Sequence, residues 1–393
     1  MAKFSIKDLP INGKRIFLRV DFNVPLNENL QITDDTRIKA SLPTIEYVLK
    51  QGGIPILASH LGRPKGKVDP KLSLAPVAKR LEELLNRKVI FAADCVGDKV
   101  KGIAQGLKQG DILLLENTRF HPEEKNNDPN FSKELASLAE LYVNDAFGSA
   151  HRAHASVEGI AHYFENPAGG FLMEKELQYL EGTLKNPKRP LLAIIGGAKV
   201  STKIGVVKNL LNTVDNLVIG GGMCFTFYKA KGYNIGKSLC EDDFLSEAKA
   251  LLANPKIYLP SDVLIAKEPK QGNPTENVVA SSIPADYCGV DIGEKATSDI
   301  SKLIKKSKTI VWNGPMGIFE IDDFSKATEK VAKAVVDATG RGAISVVGGG
   351  DTIAALSKFN LLDKVSHAST GGGASLEFLE GKELPGIKAL KEK

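Results

Sequence analysis

The chain has 393 residues, 42% of them hydrophobic and 25% charged, enough for two buried cores with an ordinary water-facing surface. A net charge of +5, a single Trp and the lack of any Lys/Arg block of five or more argue against a basic stripe with aromatic platforms for nucleic acid. No stretch approaches 18 consecutive apolar residues, and MAKFSIKDLPINGKRIFL has no apolar signal core, so a cytoplasmic protein without a membrane partner is expected.

In chain order, RIFLRVDF, IPILASH, KVIFA, DILLLEN and LYVNDAF read as buried strands, followed by LLAIIGGA, NLVIGGG, IYLPSDVLIA, TIVWNGP, AISVVGGG and KVSHAST. Between them LAPVAKRLEELLNR, FSKELASLAEL, TKIGVVKNLLNTV, SDISKLIKKS and SKATEKVAKAVVDAT carry the helical period. Strands alternating with helices imply βαβ units, and hence two doubly wound α/β domains with mainly parallel sheets. NPAGG at 166–170 ends the first domain (1–170). The next segment, 171–186, reads either as a helix connecting the domains or as one more surface helix, and 187–379 forms the second domain.

The four cysteines (Cys95, Cys224, Cys240, Cys288) form no C-x-x-C pair, and His151 and His154 lack a metal-binding frame, so reduced structural thiols are expected. Eight of the ten arginines lie at or before Arg152, whereas all three Gly-Gly-Gly runs, at Gly220, Gly348 and Gly371, lie after it. Arginine forks bind anionic oxygens bidentately, while side-chain-free turns let main-chain N–H groups reach a phosphate. The two halves are therefore expected to take two different anionic ligands.

In open α/β sheets ligands collect at the carboxyl ends of the strands. Asp21 and Asn23, His60 and Arg63, Arg119, and Arg152 all follow such ends, and Arg37 follows the loop TDDTR. Singly each arginine could be a solvated surface residue; together they read as a site for a small phosphorylated acid. In GGAKVSTKIG, Lys199 and Lys203 stand four apart and are expected on one face at the start of a helix. Like charges there cost about a few tenths of a kcal/mol, an arrangement typical of functional sites. VVGGGDT places Asp351 and Thr352 at a strand-to-helix turn, where Asp351 could hold Mg²⁺ bound to nucleotide phosphates. STGGGASLEFL repeats the device at Gly371–Gly373. Named alternatives fail: GYNIGKS (232–238) is one residue short of a P-loop, no G-x-G-x-x-G follows a strand, and the H-R-D and D-F-G pair of protein kinases is missing.

RVDFNVPL, SHLGRP, LLENTRFHPEE, NDAFGSAHRAHAS, GGAKVSTK, WNGPMGIFE, GGGDT and STGGGASLEFLEGK occur in this order over essentially the whole chain, which resembles the phosphoglycerate kinases. Ser149 and Ser261 depart from that pattern, where Thr and Val are expected. The resemblance implies two α/β domains joined by a helix and closing over a cleft, with the segment 380–393 returning to the first domain. It implies a monomer and reversible transfer of the acyl phosphate of 1,3-bisphosphoglycerate to Mg-ADP, giving 3-phosphoglycerate and ATP in glycolysis. Carried over by position, Asp21, Phe22, Asn23, Arg37, His60, Leu61, Gly62, Arg63, Arg119 and Arg152 resemble the phosphoglycerate site. Gly197, Lys203, Gly289, Asn313, Glu320, Gly349, Gly350, Asp351 and Thr352 resemble nucleotide contacts, with Asp351 beside the magnesium. Arg37, Lys199, Lys203 and the amides of Gly371, Gly372 and Gly373 are expected around the transferred group.

No Ser-His-Asp or Cys-His arrangement is present, in keeping with direct in-line transfer, which needs positioning and cationic stabilisation of the phosphoryl oxygens. A non-catalytic, hinge-bending binding protein for a phosphorylated metabolite would also explain two domains and the arginines, but not Lys199, Lys203 and Asp351. An RNA-binding α/β protein predicts a continuous basic stripe, whereas these arginines stand singly. Adenine and guanine are not distinguished by the residues.

Overall fold

The computed structural model describes residues 3–393, and the chain divides into two compact units: residues up to Leu177 with Glu383–Lys393, and Gln178–Lys382. In the first unit β1 (Arg15–Arg19), β2 (Ile54–Ala58), β3 (Ile90–Phe91), β4 (Leu113–Leu114), β5 (Leu141–Asn144) and β6 (Ala168–Gly169) form one parallel sheet in the order β3-β4-β2-β1-β5-β6. Every residue of β2 is buried, the signature of a strand covered on both faces. Register is set from Arg15 opposite Ile54 to Arg19 opposite Ala58, so β1 and β2 deliver their carboxyl ends side by side. Helices Thr36–Lys50 and Ala75–Leu85 pack Ile38, Ile45, Val77 and Leu81 against Ile16, Leu18 and Leu57 in one core. Each such fully buried side chain contributes roughly 1.5–3 kcal/mol relative to exposure.

The last residues belong to this unit. Phe4 N–H donates to Lys391 O (2.8 Å), Lys391 N–H to Pro167 O (2.9 Å) and Gly386 N–H to Ala150 O (2.8 Å). The helix Phe171–Lys185 runs along the chain from one unit into the next. Its first turn is held by the buried Asp145, whose Oδ1 accepts from Leu172 N (2.8 Å) and Met173 N (3.1 Å).

The second unit contains β7 (Leu191–Ile195), β8 (Asn216–Ile219), β9 (Ile257–Tyr258), β10 (Asp262–Ala266), β11 (Thr275–Val279), β12 (Cys288–Ile292), β13 (Thr309–Asn313), β14 (Ile344–Gly348) and β15 (His367–Ala368). Six of them form a parallel sheet in the order β15-β14-β13-β7-β8-β9, and β11-β10-β12 form a separate sheet whose pairings are antiparallel. The architecture is mixed α/β with two six-stranded parallel sheets, as the alternation of patterns implies.

IYLPSDVLIA, expected as one strand, is two. Ile257–Tyr258 pairs with β8, while Asp262–Ala266 joins the antiparallel sheet. Pro260 lies between them and has no N–H to continue a ladder. FSKELASLAEL also stops short as a helix, at Ala136. Among the described residues no helix is long and apolar enough to cross a membrane.

Candidate functional site

The carboxyl ends of β1, β2 and β4 bring the first expected cluster together. Asp21 is buried, and its Oδ2 accepts from Arg37 Nη1 at 2.7 Å, which orients the half-exposed guanidinium. Asn23 Oδ1 accepts from Gly62 N–H (2.8 Å), and Gly62 O accepts from Arg119 Nη1 (2.8 Å). Gly62 thus spends both main-chain groups on site residues. It does so at φ 62°, where an added Cβ would stand 2.7 Å from Leu72 Cδ2, so glycine is required. Phe22 and Leu61 turn their side chains into the core, leaving only main chain to face a ligand. Arg152 Nε donates to His151 Nε2 (3.1 Å), and Arg63 is exposed.

The electrostatics show that these groups converge. Burial, and then the charges of Arg19, Arg119, Arg152 and Arg37, hold the His60 imidazole well below its ordinary pKa, so it is neutral. Burial followed by the charges of Arg152 and Arg19 lowers Arg119 to about 10, and it remains a cation at neutral pH. Burial and the same arginines push the pKa of His154 down to about 3. Such a concentration of buried positive charge is costly unless an anion occupies it.

In the second unit β7 continues to β8 and β9 on one side, whereas β13, β14 and β15 lie on the other. The adjacent strands β7 and β13 therefore flank the switch point, where such sheets bind ligands. Lys203 Nζ sits there, donating to Gly196 O (2.8 Å), Asn313 O (3.2 Å) and Asn313 Oδ1 (2.8 Å). Burial lowers the pKa of this ammonium to about 8, with Asp351 opposing the shift. Asn313 Nδ2 is buried without a partner, a donor left for something else.

Beside this junction lies a cavity of about 590 Å³. Gly197, Gly289, Glu320 and Asp351 line it, together with apolar walls from Phe225, Leu239, Pro315 and Ile318. Gly289 lies directly on the Phe225 ring: a Cβ there would stand 1.9 Å from Phe225 Cζ. A cavity with apolar walls whose lining also carries Lys237, Lys267, Glu268, Glu320 and Asp351 suits a planar base with charged substituents. Asp351, in the first turn of helix Gly350–Lys358 behind its N-cap Gly349, presents an exposed carboxylate to the cavity. One exposed carboxylate lining this cavity fits Mg²⁺ carried in with nucleotide.

Other residues are placed differently. Helix Ile204–Leu210 begins only after Lys203, its N-cap, so Lys199 and Lys203 do not share a helical face. Lys199 lies exposed in the preceding turn, where its carbonyl accepts from Thr202 Oγ1 (3.0 Å). The Gly197 turn delays helix formation, which the i,i+4 spacing could not reveal. Thr352 is buried and its Oγ1 accepts from Gly314 N–H (2.7 Å), an internal task. Neither Thr352, Gly349 and Gly350 nor Gly371–Gly373 line the cavity. Gly372, at φ 50°, caps the short helix Gly373–Leu379.

The cavity walls escaped sequence reading because Phe225 and Leu239 look like core residues; a three-strand antiparallel insertion between β9 and β13 was the missed signal. The adjacent Asp94 and Cys95 and the distant His121 also come within 4.8 Å at their ligand atoms. His121 Nε2 meets Asp94 Oδ1 at 2.7 Å, and burial raises the Cys95 thiol well above its ordinary pKa.

Residues 6–382 match the family model described as phosphoglycerate kinase. The chain is 55% identical over 397 residues to the phosphoglycerate kinase of Chlorobium phaeobacteroides, covering 100% of both. It is 53% identical to the cytosolic phosphoglycerate kinase 3 of Arabidopsis thaliana, covering 99% of this chain and 98% of that protein. The solved phosphoglycerate kinase of Coxiella burnetii superposes with a TM-score of 0.89 at 42% identity, covering 99% of this chain and 98% of that one. The enzyme from Pyrococcus horikoshii superposes at 0.85 with 32% identity, over 98% of each chain. A cationic cluster and a glycine-lined cavity, each at the strand ends of its own parallel sheet, accompany these matches, and the chain belongs to the phosphoglycerate kinase family.

Proposed function

We propose that the arginine cluster of the first unit binds 3-phosphoglycerate or 1,3-bisphosphoglycerate and the cavity of the second binds ADP or ATP, for the family's reversible glycolytic phosphoryl transfer. The observation that carries this division is the convergence of Arg37, Arg119 and Arg152 on a neutral His60, a cationic field suited to a small polyanion. Arg37, Arg119, Arg152 and Arg63 supply charge to the phosphoglycerate, while Asp21, Asn23 and Gly62 hold the arginines and loops in place. His60 contributes a neutral hydrogen bond.

On the nucleotide side Phe225 and Gly289 shape the base slot, Glu320 faces the sugar, and Lys203 with Asn313 Nδ2 meets the phosphates. Asp351 would hold Mg²⁺, which neutralises phosphate charge when bound. Lys199, Lys203, Arg37 and the Gly371–Gly373 amides stabilise the transferred group, with no covalent intermediate on the protein. Stabilisation of the equatorial oxygens by fixed cations and amides lowers the barrier because those groups need no reorganisation. We also infer that the protein works as a cytoplasmic monomer.

The test is turnover from Mg-ATP and 3-phosphoglycerate, with product withdrawn by glyceraldehyde-3-phosphate dehydrogenase and NADH oxidation recorded. Turnover that requires both substrates is expected; none, from protein with a cooperative melt, sinks the reading. Asp351→Asn is expected to weaken Mg-ADP binding by about tenfold, a lost charged ligand. Unchanged affinity by calorimetry would remove Asp351 from the metal's surroundings.

A further inference from the structure

We propose that the buried Arg19 is a positioning residue that fixes the proton of His60 on Nε2, and so dictates the hydrogen-bond donor His60 offers to the phosphoglycerate. The inference rests on the assignment of His60 to that site.

Arg19 is the last residue of β1 and is fully buried. Its Nε donates to Ser156 Oγ (2.7 Å), Nη1 donates to Val20 O, and Nη2 lies 3.2 Å from His60 Nδ1. A guanidinium has five N–H donors and no acceptor. At the Nη2–Nδ1 contact the imidazole must therefore accept, which leaves Nδ1 bare and puts the single proton of the neutral ring on Nε2. A protonated ring would set one N–H against another, so the contact opposes imidazolium independently of the surrounding charge. Among the described residues Nε2 has no acceptor, so its proton is available to a ligand.

The guanidinium is itself held from behind. Ser156 Oγ has one hydrogen and gives it to Glu124 Oε1 (2.6 Å), leaving its lone pair for Arg19 Nε. Glu124 Oε2 accepts from Ser156 N–H (2.9 Å), so the carboxylate grips the serine at both ends. Arg19, Ser156 and Glu124 are all 0% exposed, and His60 is 3% exposed. A charge pair buried this deeply costs desolvation that an apolar trio would avoid. The directed relay Glu124–Ser156–Arg19–His60 is what an apolar trio could not supply. The charges of Arg119, Arg152 and Arg37 also disfavour an imidazolium at His60, and the Asp21 carboxylate is engaged by Arg37.

Removing Arg19 outright would strand Glu124 in the core, so the primary reading needs no variant. Long-range ¹H–¹⁵N spectra of the ligand-free protein are expected to show His60 protonated at Nε2 and bare at Nδ1, unchanged over about pH 5.5–8.5. A spectrum with Nδ1–H overturns the proposal. Ser156→Ala frees Arg19 to turn towards Glu124. It is expected to give mixed tautomers at His60 and to raise KM for 3-phosphoglycerate roughly 10–100-fold, the range of a misdirected hydrogen bond to a charged group, with KM for Mg-ATP unmoved.

In a His60→Ala background the same substitution should add less than about twofold, because Arg19 acts through the ring. Additive losses, or a changed tautomer with unchanged KM, mean a merely structural arginine and overturn the inference. Failure of the functional assignment looks different: the wild-type protein would then show the Nε2–H spectrum but no turnover with 3-phosphoglycerate.

Discussion

In the proposed reading the two units solve one problem, holding an anion at the carboxyl edge of a parallel sheet, with opposite materials. The first unit uses long side chains whose charges are braced, two of them buried: Arg119 on the Gly62 carbonyl and Arg19 on Ser156, with the half-exposed Arg37 on Asp21. The second unit has two arginines, Arg189 and Arg341, and Arg189 is tied to Asp215 at 2.7 Å. It relies instead on Lys203 at a strand junction, glycine turns and an apolar slot of about 590 Å³. Forked side chains recognise a small ligand that is nearly all charge. A slot with apolar walls and charged lining residues suits a ligand that is half ring and half phosphate. The difference teaches that electrostatic sites must be braced by other side chains, whereas shape-based sites must be kept free of them.

The largest expected effect breaks the comparison on both sides. Arg37→Ala and Lys199→Ala should each lower kcat roughly 10²–10³-fold, the range of a lost electrostatic donor. Wild-type kcat in either folded variant, measured in the coupled assay, removes that residue from the transfer step. Next, Gly289→Val forces side-chain carbon into the Phe225 ring, an overpacking cost of about 1–3 kcal/mol. The Kd for Mg-ADP should rise roughly 10–100-fold while that for 3-phosphoglycerate stays put. Movement of both by calorimetry would mean the slot is not specific to the nucleotide.

A third test sharpens the contrast through pH. The folded-state pKa of Lys203, lowered to about 8 by burial, means the ammonium is half deprotonated near that pH. Mg-ADP affinity should weaken as pH rises through 8, by up to about tenfold per unit, and binding near pH 8 should take up protons. The sign for stability is opposite. Between about 8 and the ordinary lysine value the unfolded chain binds more protons, so this group makes the fold more stable as pH rises. Calorimetry in two buffers of different ionisation enthalpy reads the proton uptake; none would detach Lys203 from the phosphates.

The smallest effect lies outside both sites. Asp145→Ala removes the carboxylate that holds Leu172 N and Met173 N and should cost about 1–2 kcal/mol, read as a lower urea midpoint. Burial raises the pKa of Asp145 to about 6. Between its ordinary value and 6 the folded state therefore holds the extra proton, and this group's contribution falls as pH rises. A midpoint unchanged from wild type would show the cap to be dispensable.

The sequence by itself determined most strands and helices of both parallel sheets, because apolar runs covered on both faces leave a periodic imprint that survives without neighbours. It also determined which residues stand at strand ends, since Asp21 and His60 follow those runs within two residues and Arg119 and Lys203 lie in the loops after them. Tertiary structure decided what periodicity cannot carry. Pro260 splits one apolar run between two sheets; the Gly197 turn keeps Lys199 off the helix; the buried Phe225 also becomes a cavity wall. The brace behind His60 depends on contacts between Arg19 and residues 41 and 137 positions away. Nothing local marks such a contact, because a buried arginine and a surface arginine are the same letter until the sheet brings a carbonyl, a serine or an imidazole against them.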